Sequence, residues 1–317
     1  MLQAAALKLL IPQDVLQLHR GRCLRHRLSS SGCNRCLETC TAGALSWTDT
    51  GLVWNENKCT SCLLCVAACP TDALTCTRLT LSDLLPEMND VEAPLLGCSL
   101  KPHTRGHVRV PCLGLLADTE LLLVLQLALG KEIRLNLSAC GDCENGRIAP
   151  ELLKTMTKVE TLTRGLPGGL RPIYTPDLLN FQEKTLSRRD FFIFLNRRSK
   201  QKGLSLVDRL RFSDEPGKYG KKSLPKARQL ILQLVAALPA AQRDMLSDQL
   251  FPELKITAQC TGCTACVGIC PTGALTRPGT RGCAPDVNTE RCTACALCTE
   301  FCRQQAIQVP QHHSDPL

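Results

Sequence analysis

The sequence predicts an α+β protein in which two small cysteine-bearing modules flank a small α/β unit with a parallel sheet and a basic helical connector. Three observations carry that expectation. Cysteines recur near both ends at the spacing Cys-x2-Cys-x2-Cys-x3-Cys. Between them, short apolar runs alternate with stretches of helical periodicity. A lysine- and arginine-rich stretch then separates the alternating region from the last cysteine group. At roughly 150 residues per domain, 317 residues allow two or three domains. The cysteine grouping sets the boundaries at 1–80, 93–180, 181–255 and 256–310.

Composition excludes several classes. The chain has 22 cysteines, a number that suits disulfides only in a short secreted chain. Met1 to Ile11 is apolar around a single Lys8 and reads as an amphipathic helix, without a basic leader or small-residue cleavage site. No run reaches the roughly 18 apolar residues of a membrane span. Leu113 to Leu129 comes nearest, but it carries Asp118, Glu120 and Gln126 and reads as a buried helix. A protein of a reducing cytoplasm, without a transmembrane segment, is expected. Aromatics are 3% of the chain, which a module can tolerate when metal binding itself drives folding. The formal charge of +9 does not imply nucleic-acid binding, because the excess is local and bound anionic clusters would offset it.

The elements follow in order. Residues 1–22 read as a short helix ending near His19 to Gly21. In the first module, the half Cys59, Cys62, Cys65, Cys69-Pro70 is complete. The half before it has Cys33, Cys36 and Cys40, but Ser30 stands where the leading cysteine belongs. Cys23, seven residues earlier, is the better candidate, because a thiolate binds iron far better than a hydroxyl that holds its proton. The expected sets are Cys23, Cys33, Cys36, Cys69 and Cys40, Cys59, Cys62, Cys65; a three-cysteine site with an open iron is the alternative. Trp47 and Trp54 flank Thr-Asp-Thr-Gly51 as a β-hairpin. Cys76 is left to packing. Residues 77–92 read as a polar connector around Pro86.

Then the texture changes. Ala93 to Gly97, Val108 to Pro111 and Ile133 to Leu137 are strand-like runs, with a last strand at Arg171 to Tyr174. Asp118 to Leu129, stopped by Gly130, and Ile148 to Leu162 are helical. Ligands of parallel sheets sit beyond the carboxyl ends of their strands, and Cys98, Cys112, Cys140 and Cys143 fall there. They could hold one further centre, a [2Fe–2S] cluster being the first choice. A buried thiol at Cys112 with a zinc or redox pair at Cys140 and Cys143 is the alternative. From Lys184 to Arg228 there are fourteen lysines and arginines against four acids. This segment reads either as a solvated helix or as a docking surface for an acidic redox partner. Within it, Ser187-Arg188-Arg189-Asp190-Phe191-Phe192 resembles an export signal but is internal. Arg197, Arg198, Lys200 and Lys202 belong to the same surface. Helices are expected at Lys226 to Leu238 and Ala240 to Leu250, and a disordered His-rich tail from Gln311.

The last module is complete: Cys260, Cys263, Cys266, Cys270-Pro271, then Cys292, Cys295, Cys298, Cys302. Three thiolates on one tight loop can reach three irons of a cube, and the fourth is delivered to the neighbouring cube. Cys260, Cys263, Cys266 and Cys302 should therefore share one [4Fe–4S] cluster, and Cys292, Cys295, Cys298 and Cys270 another. The fourth cysteine is expected to open a short helix leading away from its own loop. Zinc is the competing metal, but its Cys-x2-Cys sites come as separate pairs rather than triplets with a distant fourth partner.

Both cysteine modules resemble the two-cluster bacterial ferredoxins. The middle segment, Val108-Arg-Val-Pro-Cys112-Leu-Gly through Gly130 to Cys140-Gly-Asp-Cys143, resembles the delta-type iron–sulfur subunit of methyl-viologen-reducing hydrogenase. It departs from that family in keeping only Cys98 of the first pair and in the two-residue spacing of the closing pair. The Ser-Arg-Arg-Asp-Phe stretch resembles ferredoxin-type accessory proteins of molybdenum enzymes. No nucleotide loop, nucleophile–base pair or flavin fingerprint accompanies these motifs. The resemblances imply an electron-transfer protein with four [4Fe–4S] clusters. It would be a relay subunit of an anaerobic complex of hydrogenase, formate dehydrogenase or heterodisulfide reductase type, with flavin, hydrogenase or molybdenum-enzyme subunits as partners. The alternative is an assembly factor for a molybdenum or hydrogenase enzyme. In sequence order, the α/β unit would lie between the two modules of such a relay.

Overall fold

The computed structural model describes residues 16–77, 81–101, 104–179, 181 and 222–309. The helix expected at Met1 to Ile11, the export-like motif, the charged positions Arg197 to Lys202 and the tail from Gln311 lie outside the described residues.

In the first module, strand β1 (Leu16–Leu18) pairs antiparallel with β4 (Leu74–Cys76), and β2 (Leu45–Thr48) pairs with β3 (Gly51–Trp54). Short helices α1 (Leu24–Arg27), α2 (Arg35–Glu38) and α3 (Leu64–Ala67) carry the loops between them. The hairpin between the two tryptophans is thus present. At the end expected for the first helix, Leu16–Leu18 is a strand instead: Leu16 pairs with Cys76 and buries its side chain, so a partner distant in sequence decides its conformation. Cys76 is half-buried at the end of β4.

The polar connector expected around Pro86 is instead helix α4 (Leu81–Asn89), with Pro86 inside it. Proline removes one backbone hydrogen bond there, but Leu84 and Met88 are fully buried on one face, and that packing outweighs the loss. The α/β unit follows: β5 (Leu95–Cys98), β6 (Val108–Val110), a 3-10 turn (Leu113–Ala117), α5 (Thr119–Leu129), β7 (Glu132–Asn136), α6 (Ile148–Leu162) and β8 (Gly169–Ile173). The strands form one four-stranded parallel sheet in the order β6-β5-β7-β8. Asp118 breaks the apolar run expected as one helix. Its carboxylate accepts the backbone N–H groups of Glu120 and Leu121 and starts α5, which Gly130 ends in the left-handed conformation.

Helices α7 (Lys226–Ala236) and α8 (Ala240–Leu250) form a hairpin whose Leu230, Ile231, Leu246 and Leu250 join the core shared by the first module and the α/β unit. The last module repeats the plan of the first on a smaller core of Leu254, Val267, Leu275 and Ile307. Its β9 (Lys255–Ile256) pairs with β12 (Ile307–Gln308), and β10 (Leu275–Thr276) with β11 (Asp286–Val287). Helices α9 (Ala265–Ile269) and α10 (Leu297–Phe301) sit in its two halves.

The order in space differs from the order in sequence. The first module, not the α/β unit, lies in the middle. On one side Gly114 presses so closely on Cys62 that an added Cβ would stand 2.2 Å from the Cys62 carbonyl oxygen, and Asn145 donates to the Thr60 carbonyl at 3.0 Å. On the other side Arg27 donates to the carbonyl of Ile269 in the last module at 3.1 Å. Among the described residues, no helix is long and apolar enough to cross a membrane.

Candidate metal centres

The two modules repeat one backbone device after the last cysteine of each half. Three residues after Cys40, Cys69, Cys270 and Cys302 the chain turns left-handed, at Gly43 (φ +57°), Asp72 (+50°), Gly273 (+73°) and Gln305 (+50°). The turn brings an N–H back onto the sulfur: Ala44 donates to Cys40 Sγ at 3.3 Å and Ala73 to Cys69 Sγ at 3.2 Å. The Thr71 and Thr272 hydroxyls lie 3.8 and 3.6 Å from Cys69 and Cys270 Sγ. The x3 spacing holds a single helical turn. α9 ends at Cys270 and α10 at Cys302, so the fourth cysteine closes a short helix rather than opening one, contrary to the expectation. Its place after that turn carries its thiol away from its own loop.

The loops before these helices share a second device. Left-handed residues occur at Ser61 and Leu63, Gly262 and Thr264, and Ala294 and Ala296, at the same two places in each loop. Five of the six are not glycine, and each such residue costs on the order of 1 kcal/mol or more. Left-handed residues in a tight loop turn successive N–H groups inward, as in an anion-binding nest. The loop at Cys33 and Cys36 is built differently. Asn34 has φ −122°, and Ser30 is exposed. Cys23, which precedes α1, lines the same cavity as Cys33, Cys36 and Cys69.

Five cavities or groupings gather the expected residues. Cys23, Cys33, Cys36 and Cys69 line one cavity, and Cys40, Cys59, Cys62 and Cys65 line another. Cys98, Cys112, Cys140 and Cys143 line a third, at the carboxyl ends of β5, β6 and β7. In the last module Cys270 stands close to Cys292, Cys295 and Cys298, and Cys266 to Cys260 and Cys263, near enough in each case for their charges to interact. Cys302 closes α10, and the β9–β12 ribbon, extended by the bond from Thr257 N–H to the Ala306 carbonyl at 2.8 Å, returns the chain after it beside the strand leading to Cys260. Among the described residues no three His, Cys, Asp or Glu side chains converge on one ion-sized point. The cysteines surround a space instead.

Neighbouring sets lie close enough for their charges to interact. Cys65 senses Cys36, Cys112 senses Cys62, and Cys298 senses Cys266; Arg27 faces both Cys270 and Cys295. The sets therefore form one row: central, Cys40 set, Cys23 set, Cys270 set, Cys260 set. Burial pushes the free thiols up, to about 12 at Cys36, Cys112 and Cys295 and to about 11 at Cys140, with adjacent thiols adding to the rise. Protons would hold such sulfurs until a metal displaces them. The donor set of four thiols, the inward N–H groups and the N–H···S bonds all suit an anionic iron–sulfur cluster.

Residues 52–75 and 255–276 match the family model of the 4Fe-4S binding domain. The match covers two ferredoxin-type segments, one around Cys59 to Cys69 and one around Cys260 to Cys270. No curated protein and no solved structure matches the chain. Of the other two halves, Cys292 to Cys302 repeats both turns outside the matched stretches, and Cys23 to Cys40 repeats only the turn after its last cysteine. One cysteine escaped the sequence reading: Cys283 is exposed, on the loop where Gly282 crosses Gly262. The glycine pair was its only signal.

Proposed function

We propose that the chain is an electron relay holding four [4Fe–4S] clusters. Their ligands are Cys23, Cys33, Cys36, Cys69; Cys40, Cys59, Cys62, Cys65; Cys270, Cys292, Cys295, Cys298; and Cys260, Cys263, Cys266, Cys302. A [2Fe–2S] centre at Cys98, Cys112, Cys140 and Cys143 extends the row at its α/β end. The observation that carries this reading is the contiguity of the sets: each lies near the next, as stepwise one-electron transfer requires. The ends of the row are then its contact points with redox proteins. The resemblances of the cysteine motifs favour partners from a hydrogenase, formate dehydrogenase or heterodisulfide reductase assembly. Cys263, in the last set, is exposed, which suits an end that exchanges electrons.

Anaerobic reconstitution tests the reading. About sixteen irons per chain are expected, or about eighteen with the central two-iron centre, together with spin signals after dithionite. A chain that takes up zinc instead and stays silent after dithionite overturns it.

A further inference from the structure

Positive charge is unevenly spread along the row. Among the described residues, no arginine or lysine lines the Cys40 cavity, Lys101 alone lines the central one, and Arg25 and Arg35 line the Cys23 cavity. Arg27, half-buried on α1, donates through Nε to the carbonyl of Ile269, next to Cys270, and its charge faces Cys270 and Cys295. Arg35 lies near Cys295 and also near Cys33. Arg228 is 1% exposed and donates to the carbonyls of Glu290 and Cys292 at 3.1 and 3.0 Å. Arg291 adjoins Cys292 and donates twice to the Thr272 carbonyl, at 3.2 and 2.8 Å. Glu120 offsets part of the Arg228 charge through their ion pair. Three separate parts of the chain thus send guanidinium groups to one cysteine set.

Hydrogen bonds act in the same direction there. The Thr272 hydroxyl stands 3.6 Å from Cys270 Sγ, and the N–H groups of Thr272, Ala274 and Leu275 also turn towards that sulfur.

We propose that Arg27, Arg35, Arg228 and Arg291 make the cluster at Cys270, Cys292, Cys295 and Cys298 the most easily reduced in the row, so that an electron entering at either end comes to rest there. The inference depends on the relay reading above. Reduction adds a negative charge to a site that is already anionic, and each nearby cation or N–H···S bond lowers the cost of that charge. The transfer moves one electron and makes or breaks no bond: the neighbouring cluster is oxidised by one and this cluster reduced by one. The relay would then have a sink at the junction of its two modules instead of a uniform slope.

The test is an EPR-monitored potentiometric titration of the reconstituted full chain under anaerobic conditions, with dithionite as reductant and ferricyanide as oxidant. Cys295→Ala should remove the signal with the highest midpoint. Arg27→Gln should keep its full iron content and shift that midpoint negative by about tenfold in the one-electron equilibrium constant, which is 59 mV. Arg27→Lys, which keeps the charge, should restore most of the shift. Arg35→Gln, at a half-exposed site, is the second probe and decides the matter if Arg27→Gln loses iron. The inference is overturned if the loaded arginine variants leave the highest midpoint in place, or if Cys295→Ala removes a signal of lower potential. Wild-type chain without iron would overturn the relay reading itself, a different failure.

Discussion

Gly262 offers the sharpest test of the loop geometry. It has φ +67°, but backbone conformation alone does not demand glycine, because Ser61 and Ala294 hold the same place with side chains at +53° and +50°. The difference is a neighbour. A Cβ on Gly262 would stand 2.1 Å from the Gly282 carbonyl oxygen and 2.3 Å from its carbon, whereas ordinary contact begins at 3.4 Å. In Gly262→Ala the crossing backbone must therefore retreat by about 1.3 Å, the difference between those two contact distances. Forced overpacking of this kind typically costs about 1–3 kcal/mol, which is roughly a 5- to 150-fold change in the population of the opened loop. Gly273→Ala is the control. It shares the left-handed conformation, but its nearest neighbour is the flexible Lys222 side chain at 3.2 Å. Arg281, followed by Gly282, is exposed on the displaced loop and provides a trypsin site, whereas Arg277 precedes Pro278 and resists cleavage. On anaerobically loaded protein, Gly262→Ala should be cleaved there at least fivefold faster than wild type, and Gly273→Ala at close to the wild-type rate. Equal rates for all three proteins would mean that the crossing of the two glycines does not constrain the loop.

Two further outcomes are expected. Cys23→Ala should lose one cluster, about four irons, whereas Ser30→Ala, at an exposed position, should lose none; iron analysis after reconstitution separates them. Arg228→Met should strand the Glu120 carboxylate and two backbone carbonyls. Breaking a buried ion pair costs about 3–5 kcal/mol, and the lower figure applies because Glu120 is 21% exposed. Adding Glu120→Gln should recover most of the loss, read as the rate at which urea bleaches the iron–sulfur absorbance. A single variant as resistant as wild type would show that the pair does not hold the two parts together.

Much of this was legible along the chain because the determining interactions are local. Asp118 and Gly130 bound α5 through bonds within a few residues. The runs ending at Cys98 and Cys112, and the one leading to Cys140, are strands at the expected places, and they form the parallel sheet. Where the reading failed, distant partners decided. Leu16 became a strand through Cys76, and Pro86 was carried inside a helix by the burial of Leu84 and Met88. The x3 spacing did not reveal on which side of the fourth cysteine the helix would lie.

By itself the sequence determined which thiols exist, their spacing, and hence the iron–sulfur chemistry of the two segments that match a 4Fe-4S binding domain, since a loop of seven residues fixes what three sulfurs can reach. Only the tertiary structure decided the order of the row. Gly114 against Cys62, and Arg27 against Ile269 242 positions away, set the first module between the other two. Spacing along a chain cannot specify such contacts, because they depend on which surfaces fit once each part has folded.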